Sequence, residues 1–235
     1  MRGLRGLERR ELTWLVVGIG ACTLLLLFLF LTSEVVEGDT LSLDTKIVRA
    51  LRSPDDPSKP IGPAWVESML IDLTSLGGPA VLGLFVTAIA GFLLLQGRTR
   101  TAIAIVITSL SGELVGEAMK YAFHRPRPTV VPHLRQVFST SFPSGHAMES
   151  AIVYLTLGAM LMRVADRRAT KLYILAVAML LTVIVGVSRV WLGVHYPTDV
   201  IGGWMIGLVW ASVCWLATQR VEARAGIDAE RAKSE

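Results

Sequence analysis

The chain has 235 residues, of which 52% are hydrophobic and only 18% are charged, whereas a typical soluble domain carries about 25% charged residues. This composition excludes intrinsic disorder, because disordered chains lack the apolar residues that a folded core needs. Cys22 and Cys214 lie inside apolar runs and indicate no disulfide framework. The mean hydropathy of +0.55 predicts an integral membrane protein. The length suits one domain over 1–235.

Six apolar runs are candidates for membrane-spanning helices, which need roughly 20 mostly apolar residues. In chain order the predicted spans are 12–31, 77–95, 101–119, 147–162, 172–190 and 200–218. The run 64–76 is shorter and carries Glu67 and Asp72, so we expect it to be an interfacial or re-entrant helix. The predicted fold is therefore all-α, a six-transmembrane helix bundle with a short interfacial helix before the second span.

Lysine and arginine are unevenly distributed among the segments that connect these spans. With a cytoplasmic N-terminus, the inner segments 1–11, 96–100, 163–171 and 219–235 hold 14 of the 23 basic residues, as the positive-inside rule requires. The first run exceeds the roughly 7–15 residues of a signal-peptide hydrophobic region, so we expect it to remain as a span. These patterns predict a multi-pass protein of the inner (cytoplasmic) membrane with both termini in the cytoplasm. Because the charges set topology, the net charge of +4 indicates no nucleic-acid partner.

Three polar segments fall on the outer side in this topology, namely 120–128, 142–146 and 188–199. Lys120, Arg127 and Arg189 suit a multiply charged anion such as phosphate, because the arginine fork binds two oxygens at once and lysine acts as a point charge. Ser144 and Gly145 begin the fourth span, where free backbone N–H groups of a helix N-terminus bind anions. The segments together predict a phosphate site.

His195 and Asp199 form a pair at the start of the sixth span. Pro197 suits the first turn of a helix and so places Asp199 in that turn, near His195. A carboxylate that hydrogen-bonds one imidazole nitrogen leaves the other free to attack an electrophile. The pattern predicts a nucleophilic histidine beside the phosphate site.

The three segments resemble the signature of the type-2 phosphatidic acid phosphatase superfamily, which also contains bacterial acid phosphatases and vanadium haloperoxidases. The pattern K-x6-R-P matches Lys120 to Pro128, P-S-G-H matches Pro143 to His146, and S-R-x5-H-x3-D matches Ser188 to Asp199. The resemblance covers about residues 64–218 within the single domain, and the six-span layout resembles the membrane-bound lipid phosphatases of this family.

The resemblance implies a metal-independent hydrolase without a cofactor that acts on a lipid-linked phosphate or diphosphate at the extracytoplasmic face. His195 would attack phosphorus to form a phosphohistidine, Asp199 would orient it, and His146 would protonate the leaving group and then activate water. The phosphoryl oxygens would be held by Lys120, Arg127, Ser144, the Gly145 N–H and Arg189. The resemblance implies partners among membrane lipids and no obligate protein partner.

Two other functions remain open on the same residues. A phosphotransferase would use a lipid or sugar hydroxyl in place of water, and a non-enzymatic anion transporter would use the polar cluster for recognition. The membrane setting disfavours a haloperoxidase. Phosphatidylglycerophosphate, phosphatidic acid, undecaprenyl diphosphate and lipid A phosphates all carry the anionic group that the site would bind, so the residues leave the substrate open.

Several features have no role assigned by these patterns. Glu113, Glu117 and Glu149 lie within predicted spans, where ionisable groups are costly and often functional. Glu117 precedes Lys120 by three residues, so the two form either a structural pair or part of a proton relay. Arg125 is interpreted as an interfacial residue. The segment 32–63 is long enough to cover the site, and its composition does not indicate what it recognises.

Overall fold

A computed structural model describes residues 9–137 and 139–234, with the backbone alone at 9, 10, 163, 164 and 222–234. The predicted N-terminal basic residues Arg2 and Arg5 lie outside the described residues. The described chain forms eight α-helices and no β-strand. The helices are α1 (Arg9–Glu37), α2 (Leu41–Ala50), α3 (Ala64–Ser75), α4 (Pro79–Leu95), α5 (Thr99–Phe123), α6 (Gly145–Val164), α7 (Arg168–Trp191) and α8 (Pro197–Ser234).

The all-helical architecture agrees with the predicted fold class. Among the described residues, four helical stretches are long and apolar enough to cross a membrane: Glu11–Glu37, Thr99–Phe123, Arg168–Trp191 and Pro197–Val221. Helices α3 and α4 form a fifth candidate as a pair bent by 47° at a short break. The predicted spans 77–95 and 147–162 are helical as α4 and α6, but six separate spans and an interfacial α3 stay predictions.

Helix α1 presents large apolar side chains outward, as a lipid-facing helix does. Leu26 and Phe30 are 67% and 64% exposed, whereas Phe28 between them is buried against Phe142. Exposed apolar surface of this extent is unfavourable in water and marks contact with a membrane or partner. The surface therefore matches the membrane location that the composition indicates.

Close packing of α6 on α8 positions the two helix N-termini side by side. Gly203 and Gly207 lie at this contact: a Cβ at Gly203 would lie 2.6 Å from the Ser144 carbonyl oxygen, and one at Gly207 would lie 2.7 Å from that of Met148. Only glycine permits so close an approach of two backbones. The Ser144 N–H also donates to the Asp199 carbonyl oxygen at 2.9 Å, which joins two of the predicted site segments.

Helix α2 was not predicted, and it lies within the segment 32–63. Asp44 and Val48 on α2 are both 0% exposed, so one face of this helix is buried. Just after α2, Arg52 Nη1 donates to the Trp191 carbonyl oxygen at 2.8 Å. The segment 32–63 thus packs against the connection between α7 and α8, where His195 lies.

Candidate active site

His195 lies in the short connection between α7 and α8 and is 2% exposed. Its Nδ1 atom is 3.5 Å from Asp199 Oδ2 and 3.4 Å from Ser141 Oγ. The Ser141 hydroxyl hydrogen-bonds Asp199 Oδ2, and it must donate that bond because an ionised carboxylate only accepts. The Ser141 oxygen is then an acceptor for Nδ1–H. This arrangement assigns the imidazole proton to Nδ1 and leaves the lone pair on Nε2.

Asp199 is held by contacts from several directions in the first turn of α8. Its Oδ2 atom accepts the Tyr196 backbone N–H at 2.8 Å, the arrangement in which an acidic residue in the first turn caps its own helix. Its Oδ1 atom accepts from Arg125 Nη1. Because the carboxylate is 0% exposed, these donors take the place of water around its charge.

Arg127 contacts the nitrogen of His195 that carries the lone pair. Its Nη1 atom lies 3.0 Å from His195 Nε2 and also donates to the Val194 carbonyl oxygen at 2.7 Å. On the other side, Nε donates to the Ser139 carbonyl oxygen at 2.7 Å. A guanidinium fixed on two sides in this way is oriented toward any anion that reaches Nε2.

Arg189 and Ser144 offer buried hydrogen-bond donors with no partner among the described residues. Arg189 is 3% exposed, and its Nη1 donates to Thr74 Oγ1 at 3.1 Å, while its Nε makes no hydrogen bond there. The Ser144 hydroxyl at the start of α6 is equally buried and unpartnered in that part of the chain. An unpartnered buried donor is costly unless a ligand or water meets it. Both groups therefore suit an anion.

Lys120 reaches the N-terminus of α6 beside Gly145. A Cβ at Gly145 would lie 3.1 Å from Lys120 Nζ and 3.5 Å from Glu149 Oε1, so the missing side chain lets the ammonium group approach the helix end. Lys120 Nζ also pairs with Glu117 Oε1 at 2.6 Å, which shows the predicted contact between these residues. Glu113 and Glu149 line a cavity of about 290 Å³ between α4, α5 and α6.

His146, the second residue of α6, packs against the break between α3 and α4. A Cβ at Gly78 would lie 3.9 Å from His146 Nε2, and one at Gly77 would lie 3.2 Å from the His146 carbonyl oxygen. A Cβ at Gly77 would also lie 2.3 Å from Val185 of α7, so this passage requires glycine. The α3–α4 pair thus forms one wall of the site.

The environment of His195 favours the neutral imidazole. Burial disfavours the charged form and lowers the pKa of His195 to about 4, although the neighbouring Asp199 acts in the opposite direction. The cations Arg127 and Arg189 add to the lowering. At neutral pH, Nε2 therefore keeps its lone pair.

The structure thus brings together all eight predicted site residues around one small region near the N-termini of α6 and α8. It also adds residues that the sequence patterns missed: Asp44, Thr74, Arg125 and Ser141. The interpretation of Arg125 as interfacial is wrong, because this side chain is 8% exposed and contacts both Asp44 and Asp199. The only local signals were a hydroxyl two residues before Pro143 and a second arginine two residues before Arg127. The described residues contain no group of three or more His, Cys, Asp or Glu side chains placed to hold a metal ion.

Comparison with known proteins places this geometry in a family. Residues 100–223 match the PAP2 superfamily. Phosphatidylglycerophosphatase B of Bacillus subtilis is 29% identical over 193 residues, which cover 80% of this chain and 89% of that protein. Undecaprenyl-diphosphatase of Sulfolobus acidocaldarius is 34% identical over 125 residues, 51% of this chain and 56% of that protein.

The fold has a solved counterpart. The crystal structure of a transmembrane PAP2-type phosphatidylglycerolphosphate phosphatase from Bacillus subtilis superposes with a TM-score of 0.77 at 27% identity, over 86% of this chain and 96% of that one. LpxE of Aquifex aeolicus shares the fold at a TM-score of 0.55 and 21% identity, over 74% of this chain and 93% of that one. The family match covers more than half of the chain and includes Lys120, His146 and His195, so this protein belongs to the PAP2 superfamily.

Proposed function

We propose that this protein is a phosphatase that hydrolyses a lipid-linked phosphate or diphosphate through a phosphohistidine on His195. The observation that carries the proposal is the direct contact of His195 Nε2 with Arg127, combined with the anchoring of Nδ1 by Ser141 and Asp199. A neutral imidazole with its lone pair directed at a cation is arranged to meet a phosphoryl group that the cation holds.

In the first step, His195 Nε2 attacks phosphorus and the bond from phosphorus to the leaving oxygen breaks. His146 donates its proton to that oxygen, so the lipid leaves as an alcohol or as a lipid monophosphate. The charge that develops on the phosphoryl oxygens is met by Arg127, Arg189 and Lys120, with Ser144 and the Gly145 N–H at the start of α6. The unpartnered donors of Ser144 and Arg189 support these roles.

In the second step, neutral His146 takes a proton from water and the resulting hydroxide attacks phosphorus. The bond between phosphorus and Nε2 breaks, inorganic phosphate leaves, and His195 returns to its neutral form. Asp199 stabilises the imidazolium character of His195 during both steps. This division of roles requires His195 neutral and His146 protonated at the start of a turnover. Burial and the nearby cations Arg189 and Lys120 lower the pKa of His146 in the unliganded site, so the negative charge of the bound phosphate must raise it. Activity should follow a bell-shaped pH profile.

The relatives narrow the choice of substrate to test first. The alignment with phosphatidylglycerophosphatase B covers 89% of that relative. The protein in the solved PAP2 structure is described as a phosphatidylglycerolphosphate phosphatase. The relative named undecaprenyl-diphosphatase aligns over about half of this chain. We propose that phosphatidylglycerophosphate, a lipid phosphate monoester, is the preferred substrate over undecaprenyl diphosphate.

We further propose one domain over 1–235 with six spans, in which α4 and α6 cross the membrane and α3 is interfacial or re-entrant. The 14 basic residues in the inner segments support cytoplasmic termini and an extracytoplasmic site. Single cysteines placed at exposed Arg98 and partly exposed Asp56 in a Cys22→Ser/Cys214→Ser background test this topology in intact cells. A membrane-impermeant maleimide should label the cysteine at 56 and not the cysteine at 98.

The catalytic proposal is tested with purified protein in detergent and EDTA. Wild type should release inorganic phosphate from phosphatidylglycerophosphate. Phosphoprotein trapped with an alkaline denaturant should be acid-labile and base-stable, as a phosphohistidine is, and should be lost in His195→Ala. His124→Ala is the matched control, because His124 directly follows α5 and is exposed. Wild-type phosphate release by His195→Ala would overturn the assignment of the nucleophile.

A further inference from the structure

Arg125 connects the nucleophile pair to a segment that precedes the family match. Its Nη2 atom lies 2.7 Å from Asp44 Oδ2, and its Nη1 atom contacts Asp199 Oδ1. The guanidinium also stacks on the Tyr196 ring, with 4.6 Å from Cζ to the ring centroid. One planar cation thus joins two buried carboxylates that are 155 residues apart in the sequence.

Asp44 contributes a second set of contacts at the same place. Its Oδ1 atom accepts the Thr198 backbone N–H at 3.2 Å, and its Oδ2 atom accepts the Thr198 hydroxyl at 2.6 Å. Thr198 is the second residue of α8, so Asp44 supplies an acceptor for a free N–H group at the start of that helix. Asp44 thereby holds both the arginine and the turn that carries Asp199.

We propose that Asp44 and Arg125 are positioning residues that set the charge and orientation of Asp199, and through it the reactivity of His195. The proposal rests on the function proposed for His195. The chain of groups runs Asp44, Arg125, Asp199, Ser141 and His195, so charges alternate toward the imidazole. Neither Asp44 nor Arg125 contacts the predicted phosphate ligands. Asp44 in the segment 32–63 therefore contributes to catalysis through Arg125 and Asp199 and not through the phosphate ligands.

The alternating charges give the two variants opposite effects. Removing the cation in Arg125→Gln exposes His195 to an uncompensated Asp199, which raises the pH at which the His195–Asp199 pair takes up a proton. Removing the outer anion in Asp44→Asn leaves Arg125 paired with Asp199 alone, which lowers that pH. Burial and the two carboxylates act on the charge of Arg125 in opposite directions. Desolvation disfavours the charged guanidinium, yet Asp199 and Asp44 raise the pKa of Arg125 above its ordinary value.

The other charged and titratable residues around His195 are the same in both variants. The charged and titratable groups that face it are Asp199 from α8, Arg127 from the loop after α5, Arg189 from α7 and His146 from α6. Substitutions at Asp44 and Arg125 leave all four residues in place, and Asp199 is the one among them that contacts Arg125. A difference between variants in the titration of the His195–Asp199 pair therefore reports the effect of Asp44 and Arg125 on that pair.

The test combines kinetics with a titration that needs no activity. For Asp44→Asn and Arg125→Gln, kcat should fall about 10- to 100-fold while KM changes little, by analogy with the loss of a group that orients a metal-ligating histidine. Histidine NMR should show proton uptake by the His195–Asp199 pair moved by about one pH unit, upward in Arg125→Gln and downward in Asp44→Asn. Arg125→Lys keeps the charge and should lower kcat with little change in that titration.

The matched controls are Asp39→Asn and Arg49→Gln, exposed residues of the same segment, which should leave both readouts at their wild-type values. The positioning role of Asp44 and Arg125 would be overturned if the titration of the His195–Asp199 pair shifted in the same direction in Asp44→Asn and Arg125→Gln. It would also be overturned if folded protein showed no shift. Because the titration is measured on the protein and needs no activity, it tests the positioning role of Asp44 and Arg125 even if wild type releases no phosphate from the lipids tested. That last result would instead overturn the proposed function.

Discussion

Arg127 and His195 are in direct contact, with the guanidinium Nη1 3.0 Å from the imidazole Nε2. Since the other imidazole nitrogen faces Ser141 and Asp199, Nε2 is the acceptor in this contact. A phosphoryl group that binds Arg127 and meets Nε2 must displace the guanidinium from Nε2, because no atom fits between two nitrogens 3.0 Å apart. The cation therefore brings the phosphorus to the lone pair that would attack it.

Replacing Arg127 by lysine should reduce kcat/KM about 100- to 1,000-fold, the cost of removing one oriented donor from a developing oxyanion. Lysine keeps the positive charge, but it lacks the fork that holds Ser139 and Val194 while facing His195. Phosphate release at several lipid concentrations measures the effect. Arg98→Lys, at an exposed position before α5, is the control, and an equal loss in both variants would contradict a specific role.

Removing the Ser141 hydroxyl should lower kcat about 10-fold while KM stays near wild type, because a bridging hydrogen bond between two buried groups is worth roughly 1–3 kcal/mol when one partner is lost. The Ser141 hydroxyl contacts both His195 Nδ1 and Asp199 Oδ2, which are 3.5 Å apart, and Ser141→Ala removes it. Ser141→Thr keeps a hydroxyl and should recover part of the rate. Ser58→Ala, in an exposed loop, serves as the control. Full activity in Ser141→Ala would show that Asp199 alone suffices.

The pH dependence should reflect a His195 that stays neutral well into the acid range. Burial lowers its pKa to about 4, so as pH falls from 7 the nucleophile is lost near pH 4 and not near the ordinary 6.5. With four histidines in the chain, an NMR titration in detergent is readily assigned by comparison with His195→Ala. His124→Ala checks the assignment. A midpoint for His195 near 6.5 would show that burial does not control it.

The glycine contact between α6 and α8 should be sensitive to a single methyl group. In Gly203→Ala the new Cβ would meet the Ser144 carbonyl oxygen at 2.6 Å, and overpacking of this kind typically costs about 1–3 kcal/mol. We expect a lower melting temperature and lower activity, because the shift moves Ser144 and His146 relative to Asp199. Gly91→Ala is the matched control, since a Cβ at Gly91 has no neighbour within 4 Å. Equal melting temperatures for the two variants would contradict the importance of this contact.

The sequence by itself determined the helices that carry the site. The runs 101–119, 172–190 and 200–218 correspond to α5, α7 and α8 because hydropathy and span length are properties of a local stretch. The same holds for the motif residues: a helix N-terminus, a proline and an aspartate in a first turn act over a few residues. The position of Asp199 beside His195 followed from that local geometry.

Only the tertiary structure decided which polar groups meet across the fold. Arg125 looked interfacial because nothing near it in the chain shows that Asp44 and Asp199 will surround it. Ser141, in the loop before α6, and Thr74, on α3, carry hydroxyl groups whose partners, Asp199 and Arg189, lie on α8 and α7. Helix α2 is short and only partly apolar, so its stability comes from packing its buried face against the rest of the molecule. Composition and local pattern determine helices, whereas the pairing of buried charges depends on long-range packing that brings distant segments together.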